Sequence, residues 1–174
     1  MKIIPKNDRF TVVLGDYVKA DSNVELGGGA DNTEKLQAVL NKASEWGDLH
    51  LIVDGAYLTR TLRVHSNTKI ECKNPDCGFF LANNTDYALF MNKNHNFKNI
   101  VDKNIEFKGG TFNLNCNNQK HHVGDDLESH KAFFNAWNHG FRFYGVENFI
   151  MRDVIICDQT AFAMFKNKYT IQAP

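Results

Sequence analysis

Gly27-Gly28-Gly29-Ala30-Asp31-Asn32-Thr33-Glu34-Lys35-Leu36-Gln37-Ala38-Val39-Leu40 is a glycine-rich turn that runs into one capped helix. Asp31 reads as the N-cap with Glu34 three positions later, an acidic form of the capping box in which each side chain satisfies an orphan backbone N–H. Leu36, Val39, Leu40 and Ala43 recur at i, i+3, i+4 and i+7, and Trp46-Gly47 supplies the stop, so the helix is expected over about 31–46. Burying Leu36, Val39 and Leu40 contributes roughly 1.5–3 kcal/mol each, which holds a helix against a body but does not fold one in isolation. One helix ahead of a long run of strands is how a β-solenoid begins, with the helix as its lid. A βα unit of a doubly wound sheet is the competing reading, and no second periodic helix of comparable length follows to support it.

Working outward, the chain from residue 49 reads as short strands. They are 49–53, Leu58 to Val64, 68–72, 78–81, Tyr87 to Met91, 104–107, 111–114, 141–143 and 149–156. Each is β-branched or aromatic, alternates, and is bounded by Asn, Gly, Asp or Ser. Three segments open alike: Asn67-Thr-Lys-Ile-Glu-Cys, Asn104-Ile-Glu-Phe and Asn148-Phe-Ile-Met. Asparagine tolerates the left-handed backbone region, and its amide can bond the equivalent asparagine on the next coil. A coil of this size cannot bury its inner face alone and does so against its neighbours. An antiparallel sandwich has similar strand lengths, but the hairpin dipeptides it needs are scarce. The expected layout is an N-terminal arm over 1–26 and β-helix coils over 27–174, with a polar insertion at about 116–138.

With 174 residues, 43% hydrophobic content and 14 Phe, the chain is one domain able to bury a real core. Lys+Arg and Asp+Glu are both 20, so the neutral chain lacks the electrostatic footprint of a nucleic-acid binder. No apolar stretch is long enough to span a bilayer, so no membrane partner is expected. The start, Met1-Lys2-Ile3-Ile4-Pro5-Lys6-Asn7-Asp8, has no apolar core of a secretory signal, which leaves a mature segment or a virion component as the expectations. Cys72 and Cys77 flank a turn that could bring them to bridging distance, and Cys116 and Cys157 end apolar strands as small hydrophobes. None has zinc spacing.

The run from Gly28 to Leu40, then Leu51-Ile52-Val53-Asp54-Gly55-Ala56-Tyr57-Leu58, then Leu62-Arg63-Val64-His65-Ser66-Asn67-Thr68-Lys69-Ile70, resembles the opening of the pectin-lyase-like right-handed parallel β-helix. Phe141 to Val154 is similar to a polygalacturonase-like coil. The resemblance runs from about Gly27 to about Phe165 and implies a mainly β solenoid with one capping helix, close to the N-terminal coils of polygalacturonases. Phage tailspikes use the same scaffold, which also carries lyases, esterases and epimerases. It implies a polysaccharide partner, an extracellular or virion-associated location and no cofactor.

Polygalacturonases hydrolyse with carboxylates on successive coils, a base and an acid roughly 6.5–9.5 Å apart in inverting geometry. Asn84-Thr85-Asp86 spells their first motif, Gly124-Asp125-Asp126 the second, and Asn138-His139-Gly140 resembles the third, so Asp125, Asp126 and His139 are the candidate catalytic residues. Three departures count against them. The first two motifs read as about two coils apart rather than adjacent, Asp126 is followed by a stretch without strand alternation, and the Phe141 coil is one that in the family precedes the catalytic coils. The insertion also carries three His and three carboxylates between His121 and His130, without a known metal-ligand spacing, so no metal is expected. Trp137, Phe133 and Phe134 either stack on sugar rings along a groove or pin the loop to the core. Asn83-Asn84-Thr85 fits a glycosylation sequon. Two function classes follow: the N-terminal part of a carbohydrate-processing enzyme whose catalytic coils lie elsewhere, or a non-catalytic structural or glycan-recognition part of a tailspike or fibre. Either way the open end of the coils calls for cover, by a homo-oligomer or by the rest of a longer β-helix.

Overall fold

The computed structural model describes residues 5–6, 9–85, 87–119 and 140–158. They are mainly β, with parallel sheets and one helix, α1 (Thr33–Trp46). The strands are β1 (Pro5–Lys6), β2 (Arg9–Val13), β3 (Leu49–Val53), β4 (Ala56–Thr59), β5 (Leu62–Val64), β6 (Thr68–Cys72), β7 (Gly78–Leu81), β8 (Phe90–Asn92), β9 (Asp102–Lys108), β10 (Thr111–Asn113), β11 (Phe141–Arg142), β12 (Val146–Arg152) and β13 (Ile155–Cys157). The first sheet runs β1-β2-β3-β6-β9-β12, the second β13-β10-β7-β4 and the third β11-β8-β5. The chain therefore visits the sheets in the same order turn after turn: β3, β4, β5, then β6, β7, β8, then β9, β10, β11. Apart from the β1–β2 pair, every strand pair is parallel, which rules out the antiparallel sandwich.

Register places like on like. Val12, Leu51, Ile70, Phe107 and Met151 face one another across the first sheet. Tyr57, Phe79, Phe112 and Ile156 do so across the second, and Leu62, Phe90 and Phe141 across the third. Because side chains alternate between faces, one inward position fixes the whole strand, and a slip by one residue would expel the stack. The rings of different sheets meet at the centre: Phe79–Phe90 and Phe90–Phe107 centroids are 5.1 Å apart and Phe107–Phe141 5.0 Å, all edge to face. That geometry sets the positive ring edge against the negative face of its neighbour.

The repeated asparagines do what their backbone tolerance predicts. Asn67, Asn104 and Asn148 have φ of 58, 55 and 58°. The Asn148 amide donates to Oδ1 of Asn104 at 2.9 Å and the Asn104 amide to Oδ1 of Asn67 at 2.8 Å. The Asn67 amide then reaches the carbonyl of Gly47 at 3.0 Å, so the ladder ends on the C-cap of α1. A side chain is excluded where β7 meets β10: a Cβ on Gly78 would lie 1.9 Å from the Thr111 carbonyl oxygen.

Leu36, Val39, Leu40 and Ala43 are buried on one face of α1, and Gly47 closes it in the left-handed region. The start differs from expectation. Asn32 is the cap residue by backbone, without a side-chain capping bond, and the Asp31 carboxylate, one residue earlier, accepts from the Thr33 N–H at 3.0 Å. Asp31 also accepts from Arg60 Nε at 3.1 Å and pairs in parallel with Leu58 as an isolated bridge, so it stands outside the helix. The stretch Leu58 to Val64 divides into β4 and β5, and 149–156 divides at Asp153, whose φ of 56° breaks the strand. Only Phe90–Asn92 of the Tyr87 segment is strand, and the expected arm contributes β2, paired in parallel with β3. Cys72, Cys77, Cys116 and Cys157 are not bridged to one another, and burial pushes the Cys72 thiol up to about 12.

Candidate binding site on the third sheet

Since Leu62, Phe90 and Phe141 point inward, the adjacent register set Arg63, Met91 and Arg142 points outward from the third sheet. Arg142 is only 6% exposed there. Its guanidinium donates to the Tyr87 hydroxyl, and its carbon lies 5.0 Å from the Tyr87 ring centre and 5.5 Å from that of Tyr144. His95 stacks on Tyr144 at 4.5 Å and 15°, and Phe97 lies tilted 4.4 Å from the same ring. Tyr87, Arg142, Tyr144, His95 and Phe97 thus form a series of planar groups, which ends on Phe97, 73% exposed.

Electrostatics sharpen the picture. Burial lowers the pKa of His95, and the Arg142 and Arg63 charges lower it further. Among the described residues no hydrogen-bond partner meets its buried Nε2. Burial also lowers His65, with Lys93 adding to it and Asp102 opposing, and His65 Nε2 lies 3.0 Å from Asn41 Oδ1. Asp102, at the start of β9, is 2% exposed. Burial alone would raise its carboxyl, yet bonds from Asn92, Asn94 and Ser66 hold it below the usual range. The loop between β8 and β9 is closed by Gly145, whose φ of +66° and lack of a side chain allow the Asn99 carbonyl to within 2.1 Å of where a Cβ would stand.

Chemically the arrangement sets aromatic rings and cationic side chains on one surface. Stacked π faces attract the slightly positive C–H face of a sugar ring, and exposed Arg63 and Lys93 beside them supply charged donors. Asp102 accepts four donated bonds, and Glu71, away on the outer face of the first sheet, meets Lys69 and Lys108 at 2.6 Å and His50 at 2.9 Å. Burial would raise Glu71, but these donors outweigh it and bring it to about 2.

The residues singled out from sequence fall elsewhere. Asp125, Asp126, His139, Trp137, Phe133 and Phe134 lie outside the described residues, as do Asp86 and the His121–His130 cluster. Asn84 and Thr85 build the turn after β7: Asn84 has φ of 54°, Thr85 Oγ1 donates to the Ala82 carbonyl at 2.7 Å, and Thr85 N to Gln119 Oε1 at 2.9 Å. Asn84-Thr85-Asp86 lies in the chain between β7 and β8 and Gly124-Asp125-Asp126 in the chain between β10 and β11, and Asp86, Gly124, Asp125 and Asp126 themselves lie outside the described residues. Among the described residues, no group of three or more His, Cys, Asp or Glu is placed to hold a metal, and no helix is long and apolar enough to cross a membrane. Sequence reasoning missed Tyr87, His95, Phe97, Arg142 and Tyr144. The one available signal was Arg142 between Phe141 and Phe143, an arginine at the outward phase of an aromatic strand.

No protein-family model matches the chain, and neither the curated proteins nor the solved structures give a match.

Proposed function

We propose that the chain is the helix-capped part of a right-handed parallel β-helix of the pectin-lyase-like kind, and that it is a carbohydrate-binding module whose saccharide lies along the outer face of the third sheet. The observation that carries this reading is the five-membered planar series from Tyr87 to Phe97, open to solvent at the Phe97 end. Three parallel sheets visited in fixed order, with an asparagine ladder at one corner, support the β-helix. The partner is a polysaccharide met outside the cell or on a virion.

Two settings for the module differ in chemistry. As a polygalacturonase-like hydrolase it would break glycosidic bonds through Asp125 and Asp126. As a tailspike or fibre part it would hold glycan without turnover, and the four bonds that occupy the Asp102 carboxylate favour that. In both, further coils or a second copy cover the last strands, where Phe149, Ile150 and Ile155 are exposed.

Calorimetric titration with polygalacturonate and with a neutral glucan, alongside a reducing-end assay, tests the reading. Binding weakened about tenfold or more by Tyr144→Ala supports the site, on the scale of an aromatic stacking contact. Equal affinity in wild type and Tyr144→Ala overturns it, and new reducing ends lost in Asp126→Asn select the hydrolase.

A further inference from the structure

We propose that Asp102 is the positioning residue of this site: its carboxylate ties together the loop that carries His95 and Phe97 and the strand end that carries Tyr144, and so sets their stacking. The inference rests on the reading of that cluster as a saccharide site. Asp102 belongs to the first sheet and touches none of the stacked rings, but its bonds reach both walls. Oδ1 accepts from Ser66 Oγ at 2.9 Å and Asn94 Nδ2 at 3.0 Å, and Oδ2 from Asn92 Nδ2 at 2.8 Å and the Asn94 backbone N–H at 2.9 Å. Asn94 immediately precedes His95, so two of the four bonds anchor the root of that loop.

The other wall is reached through Asn92, which is fully buried at the end of β8. Its amide donates to the Tyr144 carbonyl at 3.0 Å, and its Oδ1 accepts from the Tyr144 N–H at 3.1 Å. Ser66 Oγ, which donates to Asp102, accepts in turn from the Lys103 N–H at 3.1 Å. Four donors converge on the two oxygens of a carboxylate that is 2% exposed, and removal of the acceptor unmakes all four bonds at once, leaving the buried Asn92 amide with its bond to the Tyr144 carbonyl alone. His95 and Tyr144 approach to 4.5 Å only if both walls hold their place. A planar stack is sensitive to displacements of this kind, since its attraction fades within an ångström or so of contact.

The test uses the full chain at a temperature where far-ultraviolet circular dichroism reports a folded variant. Asp102→Ala is expected to weaken polygalacturonate binding about tenfold. It is also expected to speed amide exchange at Asn94 and Tyr144, while β3 and β6 keep their protection. Asp102→Asn is expected to restore most of both, because the Ser66 hydroxyl and the Asn94 side-chain amide can turn to accept from the new amide. Should Asp102→Ala fail to fold, Asn94→Ala removes one donor and is expected to move the same readouts in the same direction by less. A variant that lowers Tm but leaves affinity and Tyr144 exchange unchanged overturns the proposal. Asp102→Asn as damaging as Asp102→Ala also overturns it, since the charge would then matter rather than the geometry. If the wild-type chain binds no saccharide, the glycan reading falls, and exchange at Asn94 and Tyr144 still decides whether Asp102 holds the two walls.

Discussion

Leu49 and Phe149 both follow the left-handed corner of the first sheet and both point toward the core, yet Leu49 is fully buried and Phe149 is 38% exposed. Leu51 and Met151 differ in the same way, one buried and the other half-buried. What separates them is neighbours. Leu49 and Leu51 lie between β2 and β6 with α1 packed over the end, whereas β12 has a described partner, β9, on one side alone. Inward side chains here are covered chiefly by the strands before and after them, so stability is close to a sum of neighbour terms and declines toward the last strands.

That contrast can be broken by substituting an inward phenylalanine of β9 and one of β12. Phe107→Ala, at the meeting point of rings from all three sheets, is expected to cost about 3–5 kcal/mol, and Phe149→Ala well under half of that. Chemical denaturation of the two variants checks it, and equal losses would mean that cover at the two ends does not differ. The ladder sharpens the same point. Asn104 bonds an asparagine on each side and Asn148 only one, and both hold a left-handed backbone. Asn104→Ala is therefore expected to cost about 2–3 kcal/mol and Asn148→Ala about 1–2.

Acid probes the middle of the first sheet. The folded-state pKa of Glu71 lies near 2, below its ordinary value of 4.5. Its stabilising contribution is complete above pH 4.5 and is lost as pH falls from there toward 2. Glu71→Gln is expected to flatten that part of the stability–pH curve, and an unchanged slope would contradict the assigned ion pairs with Lys69, Lys108 and His50. The smallest effect belongs to the helix end. Arg60 and Asp31 are 48% and 40% exposed, so Arg60→Ala is expected to cost about 1 kcal/mol or less, most of it from the carbonyls of Asn83 and Asn84 that it also binds.

The elements legible in the sequence were those with a period. The stripe of α1 and the left-handed asparagines before β6 and within β9 and β12 recur at spacings that backbone geometry enforces, so both could be read without contacts. The start of α1 was not, because the partners of Asp31, Leu58 and Arg60, are distant in sequence. Nor was β2, whose parallel partner β3 is also distant in sequence. The binding cluster was illegible for the same reason: Tyr87, His95 and Phe97, and Arg142 and Tyr144, sit on separate corners, and only the register of β8 with β11 brings them together. Among the sequence candidates, the insertion residues lie outside the described part, and only Asn84 and Thr85 could be compared directly.

The central claim is the parallel stacking of equivalent positions, and interstrand nuclear Overhauser contacts measure it most directly. The account predicts backbone cross-peaks from the Ile70 region to both the Leu51 and Phe107 regions, and from Phe79 to both Tyr57 and Phe112. Cross-peaks instead between β5 and β6, or between β7 and β8, paired as antiparallel hairpins, would contradict it.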